Sequence, residues 1–408
     1  VEIAMLSPQW IDIIAQVIQW DGFKEACYYF IAHMKDYDHD HKKAEIAKYT
    51  ELDPIDLNDG AFDLTWCKEV YTTLDEKRFT LIYNAAKFLC DNAFHTRARK
   101  YADAALGKMN TTDTVKTIAE KRNKDLLMAY AIIPIENEND ICARYLYLQQ
   151  FLKESKKFGS QRSASEKKAV ETAMQNLSIN AGYADVTRLT LRMETKLIDD
   201  SQELFQEKEI ESTVFRLCVD ESGKTEIICT KNGKQLKSIP AKLKKNEYVV
   251  RLTETKKKLT EQYRRTKMMF EQAMEDSTEF TAGELNNLRS NPVVLPIIKN
   301  LVFVCGEKIG FLEGNNLVDY TGNSVNISDN EKVTIAHPYA IYKDGHWSEY
   351  QKYLFDNQLV QPFRQVFREL YVKTDEEAEM THSLRYAGNQ IQPAKTVACL
   401  KTRRWVAD

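Results

Sequence analysis

At 408 residues the chain has room for two or three domains. Hydrophobic content of 43% and charged content of 29% exclude an intrinsically disordered protein, and a formal net charge of −3 gives no global preference for nucleic acid or membranes. Its apolar runs are too short to span a bilayer, and no signal-peptide pattern opens the chain. Eight cysteines are scattered without a C-x-x-C pair, as expected of free thiols in a reducing cytoplasm. The first residue is Val1, so an excised piece of a longer protein is expected.

Residues 1 to 200 read as a helical array. Phe79, Ile82, Ala86 and Leu89 make one apolar stripe, and Ile141, Tyr145, Leu148 and Leu152 another. Ala169, Ala173, Leu177 and Ala181 make a third, stopped by Gly182. Val186, Leu189, Met193 and Leu197 make a fourth. Short connections suggest antiparallel pairs, in a bundle or an irregular solenoid.

Character changes near residue 199, where an acidic segment runs to 211. A small β meander is predicted over 213–240. Phe215, Leu217 and Val219 alternate with polar partners, and Asn232-Gly233 is a hairpin signal. A long basic helix is predicted over 247–274, with Leu252, Leu259, Tyr263, Phe270 and Met274 on one stripe. Thr281 and Glu284 have capping-box spacing, with Phe280 and Leu285 as the hydrophobic staple. A second β part falls over 300–337, and two aromatic helices over 347–371. The second of these starts at Pro362 and carries a stripe of Phe363, Val366, Phe367 and Leu370.

Several passages resemble a bacterial domain-of-unknown-function family, number 4132, found in MolR-like proteins and often downstream of a WGR domain. They are Asn180-Ala181-Gly182-Tyr183, Arg192-Met193-Glu194, the basic helix leading to Phe280 and Leu285, His337-Pro338 and Trp347. To these add Gln361-Pro362-Phe363 with Gln365, Arg368, Glu369 and Tyr371, then Arg385-Tyr386-Ala387-Gly388 and Arg404-Trp405. The resemblance runs from about residue 140 to the end and implies a regulatory protein without assigning catalytic residues. Arg404 stands where the family has glycine. Members continue past the tryptophan, which implies a C-terminal truncation here.

Phosphate-loop, dinucleotide, zinc-protease and nucleophile-elbow patterns are absent. Asp36, Asp38, His39, Asp40 and His41 could ligate a divalent metal, but a solvated loop is the plainer reading, and no metal or cofactor is expected. His337 has two readings, a general base or a buried histidine with one backbone hydrogen bond. Arg364 and Arg368, spaced i, i+4, would either grip an anion together or pair inside the protein. Lys256, Lys257, Lys258, Arg264, Arg265 and Lys267 would either track a nucleic-acid backbone or form a solvated face.

The expectation is therefore a mainly α protein with a minor β part (α+β): a helical array over 1–200 and a mixed domain over 201–408. Its function is read as a non-catalytic interaction or scaffold module of a cytoplasmic regulator-like protein. Its partner would be another protein or other domains of the same longer chain, and no membrane. The binding candidates are His337, Gln361, Arg364, Gln365, Arg368 and Arg385. Two alternatives stand beside it: an enzyme site around His337, Arg364 and Arg368, and weak non-specific nucleic-acid binding along 247–274.

Overall fold

A computed structural model of the protein describes residues 1–35, 40–90, 93–199 and 201–402. The Asp/His cluster at 36–41 and the closing Arg404-Trp405 lie outside the described side chains. Helix accounts for 56% and strand for 10%, so the class is α+β with helix dominant. Among the described residues no helix is long and apolar enough to cross a membrane. The chain forms two compact units. One holds Val1–Met269 with Asn287–Pro296, the other Phe270–Asn286 with Ile297–Asp408.

Five helices of the first unit are started by side-chain caps. Asp53, Asp63, Asn110, Asn123 and Asn137 each accept a first-turn backbone N–H that would otherwise lack a partner. The helix Glu138–Ser155 buries Ile141, Tyr145 and Leu148. The helix Ser160–Asn180 buries Ala169, Ala173 and Leu177. The predicted stripes are thus core faces, joined to an aromatic centre where Tyr29 meets Phe30, Phe62 and Trp66. Two buried arginines hold the loops. Arg97 donates to the carbonyls of His33, Met34, Leu57 and Asn58. Arg144 donates to those of Tyr130, Ile133 and Pro134 and to Asp140. These carbonyls lie at helix ends or in the turns that follow them, where helical donors run out, and the guanidinium supplies donors there.

The meander follows with one strand more than expected. β1 (Lys208–Ile210), β2 (Thr213–Val219), β3 (Thr225–Lys231) and β4 (Lys234–Gln235) pair antiparallel in sequence order. Phe215 sits opposite Cys229, and both are buried with Leu217 against Leu243, Val249, Leu252 and Leu259. The last three lie on the helix Glu247–Glu275. At the β2–β3 turn Gly223 has φ +81°, and a Cβ there would stand 1.9 Å from the Tyr263 ring. Both the turn and the packing demand glycine at that position.

In the second unit Thr281 and Glu284 form the predicted reciprocal cap, at 2.7 and 3.2 Å. Phe280 and Leu285 are buried beside it. β5 (Phe280–Thr281), β6 (Val302–Cys305), β7 (Lys308–Glu313), β8 (Asn316–Val318), β9 (Ser324–Asn326) and β10 (Lys332–Ile335) form one sheet. Its order is β5-β10-β6-β7-β8-β9, with every pairing antiparallel. Val302, Phe311 and Ala336 pack with Ile341, Tyr350, Leu354 and Val366. Helices Pro338–Lys343 and Trp347–Asp356 supply Ile341 and then Tyr350 and Leu354.

The second aromatic helix does not form. Residues 361–371 are irregular, with Phe363 and Val366 buried but Phe367 exposed. The backbone bonds a helix would need go elsewhere. The Val366 N–H donates to the Gln361 side chain at 3.0 Å instead of to Pro362. The Val366 carbonyl accepts from Trp347 Nε1 at 2.7 Å and Gln351 Nε2 at 3.1 Å.

Candidate functional site

Most of the predicted binding residues converge where this irregular segment crosses the end of the six-stranded sheet. Gln365 is fully buried. Its amide donates to the carbonyls of Val302 (2.7 Å) and Ala336 (2.8 Å), and its oxygen accepts the Val302 N–H at 2.9 Å. It therefore behaves as one more backbone unit between the ends of β6 and β10. Gln361 completes the cluster, donating to Gln365 Oε1 at 2.8 Å and to the Asn300 carbonyl at 3.0 Å.

His337 caps the helix Pro338–Lys343 through Nδ1, which accepts the Tyr339 N–H at 3.2 Å. That bond leaves the ring proton on Nε2. Burial lowers the pKa of the ring, the Arg368 guanidinium lowers it further, and Glu275 opposes them. A ring whose pKa falls below its ordinary value is neutral at pH 7. Arg368 itself donates to Glu271 at 3.0 Å and to Glu275. Arg364 points elsewhere, exposed and paired with Glu369. The two arginines do not share an anion, because the i, i+4 spacing that would align them exists only in a helix. Arg385 is exposed, 5.2 Å from the Tyr371 ring.

The enzyme expectation around His337, Arg364 and Arg368 thus loses Arg364, and the other two are engaged in structural bonds. Glu271, Glu275 and the anchoring role of Gln365 were missed by sequence reasoning. The one available signal was a glutamine lodged between buried apolar positions.

On the outer side of this hub lies a chain of rings. Tyr339 stacks on Tyr342 at 6.5 Å, and Tyr342 meets Trp347 edge-on at 6.2 Å. Trp347 is tied to Val366, next to Phe367. Tyr339 and Tyr342 are 47% and 44% exposed, and Phe367 is 49% exposed. A separate cleft of about 400 Å³ lies beside Tyr320, His346 and Asp344.

The nucleic-acid candidates split by helical face. Lys257, Lys258 and Arg264 are exposed, whereas Lys256 and Lys267 are half-buried. Arg265 turns inward to the buried Glu194. It is therefore a half-buried structural residue, committed to Glu194 and not to the exposed charged face. Among the described residues no group of His, Cys, Asp and Glu could hold a metal ion. Cys27, Cys67, Cys218, Cys229 and Cys305 are free thiols.

Comparison with known families places two domains on the chain. Residues 1–193 match a family of unknown function (DUF5724), and residues 233–405 match a domain of unknown function (DUF4132). The chain is similar to each of these over just under half its length. Asn180-Ala181-Gly182-Tyr183 falls within the first match, and every binding candidate from His337 to Arg385 within the second. No curated protein and no solved structure matches the chain.

Proposed function

We propose that the second unit is a non-catalytic interaction module, binding a protein partner through the ring chain Tyr339, Tyr342, Trp347 and Phe367. The observation that carries the reading is that the polar groups inside this region are consumed by internal bonds, while large rings beside them face solvent. A catalytic site needs convergent polar groups free to act in a closed pocket. A contact surface needs aromatic area that is already ordered, and exposed tyrosine, tryptophan and phenylalanine supply it at small entropic cost. The resemblance to MolR-like proteins fits such a role within a larger bacterial regulator. No separate observation favours nucleic acid, since Glu254 and Glu261 alternate with Lys257 and Arg264 on the exposed face of their helix.

Quantitative affinity capture with the wild type and with Tyr342→Glu and Phe367→Glu tests the reading. The expected result is a protein lost from both variants that binds the purified wild type directly and binds purified Phe367→Glu at least tenfold more weakly. An identical retained set for all three, with melting midpoints unchanged, would overturn it.

A further inference from the structure

We infer that a cleft in the helical unit is a binding site for the phosphate group of a small ligand. The cleft has a volume of about 370 Å³ and is lined by Arg122, Lys124, Gln161, Arg162, Ser165 and Glu166. It lies between the start of the helix Lys124–Tyr130 and the first turns of Ser160–Asn180.

The inner part of the cleft is a rigid, self-satisfied frame. Arg122 donates to both oxygens of Glu166, to Glu154 at 3.1 Å, to the Phe151 carbonyl and to Ser155. Glu166 also accepts from Ser155 Oγ at 2.6 Å and from Arg162 Nε at 2.9 Å. Burial pushes its carboxyl up, but the bonds from Arg122, Ser155 and Arg162 outweigh burial and hold it down at about 2. Glu166 is therefore an anion already matched by internal donors. Both guanidiniums lie over the Phe158 ring, Arg122 at 5.0 Å and Arg162 at 4.1 Å from its centre.

The outer part is unmatched. Among the described residues Arg162 bonds only through Nε, so the two terminal amino groups of this cleft-lining guanidinium are open to a ligand. The Lys124 ammonium bonds Ser165 Oγ at 2.5 Å and has no carboxylate partner among the described residues. Three cations (Arg122, Lys124, Arg162) stand against two carboxylates (Glu154, Glu166), one positive charge in excess. A guanidinium over an aromatic ring with its terminal amino groups uncommitted, a half-buried ammonium and a nearby amide suit a tetrahedral oxyanion with several acceptor oxygens. A single-charged carboxylate would leave part of this donor set unused.

The full-length chain is titrated with inorganic phosphate and with pyrophosphate at constant ionic strength, chloride serving as control. Phosphorus NMR line width and the melting midpoint are the readouts. The expected result is a saturable response to both anions and none to chloride. Arg162→Ala and Lys124→Ala should each weaken it about tenfold, and Arg162→Lys should fall between, since it keeps the charge and loses the fork. Both side chains are at the surface, and circular dichroism checks that the variants fold. Absence of a saturable response in the wild type would overturn the inference, as would equal responses from wild type and both alanine variants.

Discussion

The Arg265 guanidinium donates from Nε and Nη2 to a single oxygen of Glu194, at 2.8 and 2.6 Å. Tyr145 donates to the same oxygen at 2.6 Å, and Gln262 donates to the Glu194 backbone carbonyl at 2.9 Å. Glu194 is fully buried, so this pair joins the helices Glu138–Ser155, Val186–Asp199 and Glu247–Glu275 inside the first unit. Removing one partner of a buried pair leaves the other charge uncompensated. Arg265→Ala is expected to cost about 3 kcal/mol in denaturant melts. Charge reversal at Arg265 is expected to cost more, so that residue cannot serve in a surface-charge experiment. A loss below 1 kcal/mol would show that Glu194 finds another partner.

Gln365 and Phe367 are predicted to exchange the importance their residue types suggest. Gln365→Ala takes the side-chain partner from the Val302 N–H and the Ala336 carbonyl at the ends of β6 and β10, while the Val302 carbonyl keeps the Ala336 N–H. A buried backbone group left without a partner costs about 1–3 kcal/mol, and a loss of at least about 2 kcal/mol in all is expected. Phe367→Ala empties no cavity and should cost less than about 1 kcal/mol. Phe363→Ala, in the core, should cost about 3–5 kcal/mol. Urea melts of the three variants rank them directly.

Acid should weaken the protein chiefly through His33, which is fully buried, with His337 adding to the loss over the same range. The His33 Nδ1–H donates to the Tyr29 carbonyl at 2.8 Å and its Nε2 accepts the Asp63 N–H at 3.3 Å. Burial brings the ring down from 6.5 to about 4. The unfolded chain therefore takes up this proton before the folded one does. The stabilisation is complete above pH 6.5 and is lost as pH falls towards 4, by about 3 kcal/mol in total. Glu166 acts lower, between its ordinary 4.5 and about 2. Melts from pH 7.5 to 4.5 should show a slope in the wild type that His33→Gln flattens. Equal slopes would exclude His33 as the group that titrates.

Any nucleic-acid affinity of the helix Glu247–Glu275 is expected to be weak, sequence-independent and abolished by salt. Only Lys257, Lys258 and Arg264 of its candidates are exposed. Reversing those three to glutamate should remove all binding of labelled DNA seen at low salt, without moving the melting midpoint. Binding that survives 200 mM salt would require a different site, because contacts to phosphates weaken steeply with salt.

Local chemistry was legible in the sequence wherever it is self-contained. The Thr281–Glu284 cap, the Asn232-Gly233 hairpin and the helix end before Gly182 need only near neighbours. Residues 361–371 were misread because apolar residues at i, i+3 and i+4 also arise when an irregular strap presses alternate side chains onto a sheet end. What decided the outcome was three glutamine side chains taking over backbone bonds: Gln361 takes the Val366 N–H within the strap, but Gln365 reaches Val302 on the sheet and Gln351 reaches Val366 from the helix Trp347–Asp356. Glu194 was noticed as part of a motif. Its role depends on Arg265, 71 positions later, which looked like one more surface cation.

The closeness of Gly223 to Tyr263 has an evolutionary consequence. Asparagine ordinarily replaces glycine in a turn of this kind at little cost, since it tolerates positive φ. Here the first atom of any side chain would enter the tyrosine ring. Mutation at 223 is open only to lineages that have already shortened residue 263. The pair should therefore drift together or not at all, and related sequences should show a larger residue at the turn only where the helix carries a smaller one.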